Sequence, residues 1–182
     1  MLKRRCDQGF TLLEVLVALF VLTIGLLGVL KLETVAYAST NIAAKRSIAA
    51  LEAASLAASM HVNRGYWTTP DPSGGVIAIN GNVVTVTQNA ALLGGALGAA
   101  QNCRSTSLTL PCLPLVMAAY DLQQWAIGLQ ALLPNVTGTV SCGTAPPVSC
   151  LINITWNENA VAMNTLETGA LASPSYTLFV EP

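Results

Sequence analysis

The stretch GFTLLEVLVALFVLTIGLLGVL, residues 9–30, determines how the rest of this chain is arranged. From residue 10 to residue 30 a single side chain, that of Glu14, is charged. A helix rises about 1.5 Å per residue, so this run covers about 30 Å, the thickness of the hydrocarbon core of a bilayer. The short basic leader MLKRRCDQG comes before it. The sequence therefore predicts a membrane-spanning helix over residues 10–30.

Glu14 is the unusual feature of this run, because an acidic side chain inside a membrane helix costs about 2.5–3.5 kcal/mol on insertion scales. Cleavage of the chain between Gly9 and Phe10 would supply a partner. Phe10 would then carry a free α-amino group, and Glu14 follows four residues later, at the same end and on the same face of the helix. A carboxylate in the first turn also suits the positive end of the helix dipole. The amine could belong to the same chain or to the next copy in an assembly.

The order of these features resembles the class III signal of type IV prepilins and pseudopilins. It consists of a basic leader, Gly9, the sequence FTLLE at residues 10–14 and an unbroken apolar helix. The resemblance implies that a membrane-embedded prepilin peptidase cleaves the chain after Gly9 and that Phe10 is N-methylated. It also implies that Glu14 helps to dock each subunit into a filament.

Two other interpretations of the N-terminal run compete with this one. An ordinary transmembrane anchor, with Lys3, Arg4 and Arg5 on the cytoplasmic side, explains the orientation but leaves Glu14 unexplained. A secretory signal peptide would be cut at the sequence AYA, residues 36–38. However, the apolar run is longer than the usual ~7–15 residues, contains a charge and is followed by two more charges before that site.

The composition limits the functional classes that fit the chain. Charged residues make up 9% of it and apolar residues 53%, and the net charge is −1, whereas a typical soluble domain has about 25% charged residues. No basic stripe occurs outside the leader, so we expect no nucleic-acid partner. The single histidine, His61, and the lack of a telling carboxylate pair leave no visible catalytic constellation. We therefore expect neither an enzyme nor a cofactor.

Four of the five cysteines follow the leader, and in an exported protein an even number indicates two disulfides. A zinc site is the alternative, but the spacings lack the C-x-x-C pattern, so we expect no metal. Cys142 and Cys150 fall on the apolar faces of two adjacent predicted strands, which favours their pairing across a hairpin. Cys103 and Cys112 would then close a polar loop. Four cysteines allow three connectivities, and the spacing alone does not choose among them.

Helical periodicity occurs in two segments after the apolar run. Residues 31–63 are rich in good helix formers, so we expect the first helix to continue to about Asn63 as an amphipathic helix that packs on a globular head. A second amphipathic helix should begin at Pro114 and end before Pro134, with Trp125 at the edge of its apolar stripe. The apolar positions that support these helices are Leu32, Val35, Ala36, Ile48, Leu51, Leu56 and Met60 in the first, and Leu115, Ala119, Leu122, Ala126, Leu129 and Leu133 in the second.

Short strands account for the rest of the predicted head. Two β-branched runs flank Asn80-Gly81, which indicates a hairpin with a type I′ turn at those two residues. Residues 136–142 and 150–156 alternate apolar and polar side chains, as half-buried strands do, and residues 176–180 favour a last strand. The sequence therefore predicts an α+β, pilin-like fold, in which a long N-terminal helix, transmembrane in its first half, packs on a small antiparallel sheet with one additional amphipathic helix.

A second resemblance covers the later part of the chain. The sequences AAYDLQQW at residues 118–125, LLP at 132–134 and INITW at 152–156 resemble minor pilins of the PilV type. In that group a helix with a DL-x-x-W core precedes a strand that ends in tryptophan and an acidic residue. Here Asn157 intervenes before Glu158, a departure from the pattern.

The two resemblances together imply a domain organisation and a function. Residues 1–9 are the leader, 10–30 the transmembrane and filament-core helix, 31–63 its amphipathic continuation and 64–182 a periplasmic head. The chain is expected to be a minor pilin, anchored by a single pass in the bacterial inner membrane, methylated, and extracted into a type IV pilus fibre. Its partners would be prepilin peptidase, other minor pilins, the major pilin, the inner-membrane assembly platform and membrane lipid. A pseudopilin of a type II secretion system and an adhesin module at a pilus tip, with a ligand surface in residues 64–112, are the alternatives.

Overall fold

The computed structural model describes residues 11–69, 76–81, 83–86, 103, 112–159 and 171–182. The chain divides into two compact units, Met1–Asn41 and Ile42–Pro182, called here the N-terminal unit and the head unit. The predicted α+β class is confirmed, because a long apolar helix is followed by a small antiparallel sheet and another helix. The elements are α1 (Leu12–Val62), α2 (Arg64–Trp67), β1 (Val76–Asn80), β2 (Val83–Val86), α3 (Pro114–Leu132), β3 (Thr137–Cys142), β4 (Cys150–Thr155), β5 (Glu158–Asn159), β6 (Leu171–Ala172) and β7 (Ser175–Val180).

Helix α1 confirms the prediction of one continuous helix that ends close to Asn63. The predicted start at Phe10 lies outside the described residues. Asn63 follows the last residue of α1, and its side-chain amide donates a hydrogen bond to the carbonyl oxygen of Pro114 at 2.7 Å. This bond ties the end of α1 to the start of α3. The chain then makes one more helical turn, α2, which the sequence did not indicate.

The buried stripe of α1 differs from the predicted one. Leu51 is 69% exposed although its spacing placed it on the apolar stripe, and Ile48 is only partly buried. Alanines fill the positions that contact the core, because a helix can approach its neighbours closely where the side chains are small. The buried residues of α1 are Ala49, Ala53, Leu56, Ala57 and Met60.

The main sheet has five antiparallel strands in the order β2-β1-β3-β4-β7, and β5 pairs with β6 in a separate two-stranded sheet. The hairpin between β1 and β2 is confirmed, but the position predicted for its turn was wrong by one residue. Asn80 pairs with Val83, so Asn80 belongs to strand β1 and the turn begins at Gly81. Gly81 takes the first position with φ +59°, a left-handed conformation that costs glycine little.

Strands β3 and β4 confirm the predicted alternation. Val140, Ile152 and Ile154 are buried, whereas Thr137 and Thr139 are exposed on the opposite face of the sheet. Both expected disulfides are present in the structure. Cys142 and Cys150 are direct partners in the β3–β4 ladder and are bonded to each other, and Cys103 is bonded to Cys112.

Helix α3 and Leu133, the residue that follows it, bury the predicted stripe except for Leu115, which is only partly buried, but Trp125 is not at the edge of this stripe. The indole ring is buried, and its Nε1 donates a hydrogen bond to the carbonyl oxygen of Glu52 in α1 at 3.0 Å. Space for the ring comes from Gly138 in β3, where a Cβ atom would lie 3.3 Å from the ring. Trp125 therefore joins α1, α3 and the sheet in one core.

Candidate functional site

Glu14, the predicted assembly residue, lies in the first turn of α1 and is exposed. Its backbone N–H is bonded to the carbonyl oxygen of Thr11 at 3.1 Å and lies 3.4 Å from the Thr11 hydroxyl oxygen. Thr11 therefore acts as the N-cap, and Thr11 and Glu14 have the spacing of a capping box. Sequence reasoning missed this role of Thr11, although the T-x-x-E pattern before an apolar run is its usual signal. Gly9 and Phe10, the two predicted processing residues, lie outside the described residues.

The apolar surface of α1 follows Glu14 directly. Every large apolar side chain from Leu12 to Leu30 is at least 49% exposed within the single chain. The most apolar window of α1 has a mean hydropathy of 2.6, and among the described residues α1 is the only helix long and apolar enough to cross a membrane. Water cannot solvate such a surface favourably, because each Å² of apolar area left in water forgoes about 25 cal/mol. The prepilin-like signal described in the sequence analysis and this apolar helix both fit membrane anchoring.

Glu158 in the head unit forms a second cluster of polar side chains that sequence reasoning missed. The residue is 3% exposed. Its Oε1 accepts a hydrogen bond from Trp156 Nε1 at 2.9 Å, and its Oε2 lies 3.2 Å from a terminal guanidinium nitrogen of Arg46 in α1. Because residues two apart in an extended chain share a face, the W-x-E pattern was the available signal. Although Asn157 separates the two residues in the sequence, the Glu158 carboxylate therefore still contacts the indole nitrogen of Trp156.

The paired helices α1 and α3 hold two carboxyl groups in partly dry surroundings. Burial raises the pKa of Glu52 and the pKa of Asp121 above the ordinary values for these side chains. Neither group belongs to a metal-binding arrangement: within the parts of the chain that the structure describes, no three His, Cys, Asp or Glu side chains are placed to hold an ion. The geometry of this helix pair is that of a packed core.

Comparison with known proteins places the recognisable signal at the N-terminus. No curated protein and no solved structure matches the chain. The family described as "Prokaryotic N-terminal methylation motif" matches residues 4–30, which include Gly9, Phe10 and Glu14. This motif is a type IV prepilin-like signal, and it implies processing by prepilin peptidase. It indicates that the chain is a type IV pilin-like or pseudopilin protein.

Proposed function

We propose that the chain is a minor pilin, a structural subunit that helps to initiate assembly of a type IV pilus together with other minor pilins. The observation that carries this proposal is the methylation motif over residues 4–30, combined with an apolar helix whose surface the chain itself leaves uncovered. A membrane covers this surface before assembly. Neighbouring helices of the same kind cover it afterwards, in the core of the fibre.

Glu14 fixes the position of each subunit's helix along the helix of its neighbour in this assembly. Cleavage after Gly9 gives Phe10 an ammonium group that remains charged after a single methylation. Opposite charges attract strongly where water is excluded, so the carboxylate of Glu14 pairs with the Phe10 ammonium of an adjacent subunit as the helices come together. A subunit without this partner keeps a charge in apolar surroundings, and the pairing therefore favours the assembled state.

The head unit supports a role as an exported subunit. Its two disulfides suit an oxidising compartment such as the periplasm. The likeness to the PilV type rests on the sequence pattern, and the hydrogen bond from Trp156 to Glu158 keeps the tryptophan and the acid together despite the inserted Asn157. A single-pass topology with the head in the periplasm follows from the basic leader staying in the cytoplasm.

Mass and N-terminal analysis of the protein recovered from cells with prepilin peptidase tests the proposal. We expect a chain that begins at Phe10 and carries one added methyl group, and an uncut chain from cells without the peptidase. A Gly9→Leu variant should also stay uncut. A mature chain that begins at Ser39 would instead establish the signal-peptide interpretation, and one that retains the leader in cells with the peptidase would establish a plain anchor.

Pseudopilins of type II secretion systems carry the same kind of motif. The proteins that bind this chain therefore distinguish a pilus subunit from a secretion subunit. The full-length protein, isolated in mild detergent, should co-purify with other minor pilins and appear in sheared pili. Co-purification with secretion components, together with unchanged piliation in cells that lack the protein, would assign it to a secretion system instead.

A further inference from the structure

A groove of about 510 Å³ lies beside the turn between β1 and β2, where the segment that links α3 to β3 passes it. Binding sites for small molecules commonly have volumes of about 300–1,000 Å³. Leu133 and Val136 lie beneath the groove and are almost completely buried, whereas Pro134 forms an exposed apolar wall. The site is remote in sequence from the methylation motif and has no part in the proposed assembly mechanism.

Three carboxamide side chains line this groove: those of Asn80, Gln130 and Asn135. All three are exposed. Across the described ranges of the chain, none of them makes a side-chain hydrogen bond to another residue, so their donors and acceptors are free for a ligand. Two backbone features bring them together. Gly81 carries no Cβ, and the Gln130 amide nitrogen lies only 3.4 Å from where one would be. Asn135 adopts φ +47°, which turns the chain between α3 and β3.

Among the residues that the structure describes, none that lines the groove is charged. The adjoining face of the sheet continues this chemistry, because Asn80 pairs with Thr137 and Thr137 pairs with Thr155, so their side chains point to the same side. A carboxamide offers one acceptor oxygen and two N–H donors, and a hydroxyl both donates and accepts. Such groups complement a ligand that carries many hydroxyl groups and no charge. An anion or a cation would lose its hydration here without meeting an opposite charge.

From these contacts we propose that the groove bounded by Asn80, Gln130 and Asn135 binds a neutral oligosaccharide. The carboxamides hydrogen-bond to the sugar hydroxyls, and the exposed ring of Pro134 contacts the C–H face of a sugar ring. A neutral peptide is the competing ligand. An extended peptide is usually held by backbone bonds along a sheet edge, whereas this groove presents side-chain amides from three separate segments. That arrangement favours the saccharide.

The test uses the intact chain in a phosphocholine detergent, because maltoside detergents would themselves present sugars. Maltohexaose, cellohexaose and N-acetylchitohexaose are the probes, and calorimetric titration gives Kd. We expect at least one of them to bind, with an affinity that changes less than about twofold between 50 and 500 mM NaCl, because no ion pair contributes. Gln130→Leu should raise Kd by about three- to tenfold, the effect of one lost hydrogen bond.

Two further variants make the result specific. Gln124→Leu is the matched control, because Gln124 is also exposed on α3 but does not line the groove, and its Kd should stay at the wild-type value. Asn135→Gly keeps the left-handed backbone, removes the carboxamide and should weaken binding as Gln130→Leu does. The proposal is overturned if none of the three saccharides binds, if both groove variants bind like the control, or if only a neutral glycine–serine peptide binds. Because binding is measured on the isolated chain, the outcome does not depend on whether the protein assembles into pili.

Discussion

At the scale of single residues, Glu158 brings a carboxylate almost fully out of water in a head unit that has few charges. Its bond from Trp156 satisfies part of that group, and Arg46 supplies the opposite charge. The arginine side chain is 62% exposed, so the pair is weaker than one buried on both sides. We expect Arg46→Ala to lower the free energy of unfolding by about 1–3 kcal/mol, because it leaves a buried acceptor short of its donors. Chemical unfolding in detergent measures this loss.

A double-mutant cycle separates this charge effect from lost packing. In a Glu158→Gln background the same Arg46→Ala change should cost less, because no buried charge is left without its partner. Lys45→Ala, at the neighbouring position of α1, is the control and should change the free energy of unfolding by no more than about 0.5 kcal/mol. Equal costs of Arg46→Ala in both backgrounds would show that the ion pair contributes nothing.

The two acids whose pKa is raised by burial, Glu52 and Asp121, predict a dependence of stability on pH. A carboxyl group with a higher pKa in the folded chain than in the unfolded one binds protons more readily when folded. Its contribution to the free energy of unfolding therefore increases as the pH falls through the raised pKa, and it is complete below the unfolded value of about 4. At neutral pH the ionised groups reduce stability.

Glu52→Gln and Asp121→Asn should consequently raise Tm slightly at pH 7 and lose this advantage at pH 4. The gain should be a few tenths of a kcal/mol at most, because solvent still reaches both groups. Glu181→Gln removes the same charge at an exposed position and serves as the control for the change in net charge. A loss of stability in both variants at pH 7 would mean that the carboxylates make favourable contacts that outweigh their burial.

At the scale of elements, two glycines show how closely the helices and the sheet approach each other. A Cβ at Gly138 in β3 would lie 3.3 Å from the Trp125 ring, which is fixed in the core, so Gly138→Ala should destabilise the head by about 1–3 kcal/mol. Among the described residues, a Cβ at Gly128 in α3 would meet only the flexible Glu52 carboxylate, at 3.6 Å. Gly128→Ala should therefore stabilise the chain by about 0.5–1 kcal/mol, the helix preference of alanine.

Thermal unfolding of the two variants, side by side, tests this difference in sign. Near-ultraviolet circular dichroism adds a local readout, because only Gly138→Ala should disturb the environment of Trp125. If both substitutions lowered Tm by the same amount, the difference in space around Gly138 and Gly128 would not determine the effect of adding a Cβ.

The elements that could be predicted from the sequence are those set by local pattern. The unbroken helix follows from the lack of proline, strands β3 and β4 follow from alternation, and the Cys142–Cys150 bridge follows from that phase. Contacts between distant segments were not predictable in this way. The exposure of Leu51 depends on which helix face the sheet covers, and the burial of Trp125 depends on a glycine in a strand further along the chain.

The candidate functional residues show the same contrast between local sequence patterns and contacts of distant segments. Gly9, Phe10 and Glu14, the predicted processing and assembly residues, all lie within residues 4–30, the short linear segment that matches the methylation motif. The groove is assembled from a hairpin turn, the end of a helix and a linking segment. Its carboxamides have no common spacing in the sequence, and only the fold brings them together.

At the scale of the whole molecule, the proposed function requires the N-terminal unit to exist in two apolar environments, the bilayer and the fibre. Glu14 affects these two states in opposite ways. In the bilayer an unpaired carboxylate opposes insertion by about 2.5–3.5 kcal/mol. In the proposed fibre the same carboxylate would meet the Phe10 ammonium of a neighbour. Removing the charge should therefore leave insertion intact while it weakens assembly.

We accordingly predict that Glu14→Ala leaves the amount of protein in the inner membrane unchanged and lowers its amount in sheared filaments by about tenfold or more. A tenfold loss corresponds to about 1.4 kcal/mol, which is modest for an ammonium left without its partner in apolar surroundings. Glu33→Ala removes the same charge from an exposed position of α1 outside the motif and should assemble normally. Glu14→Asp keeps the charge on a shorter side chain, so its incorporation should lie between those of the wild type and Glu14→Ala. If Glu14→Ala were found in filaments at the wild-type level, the ion pair could not be what selects the assembled state over the membrane.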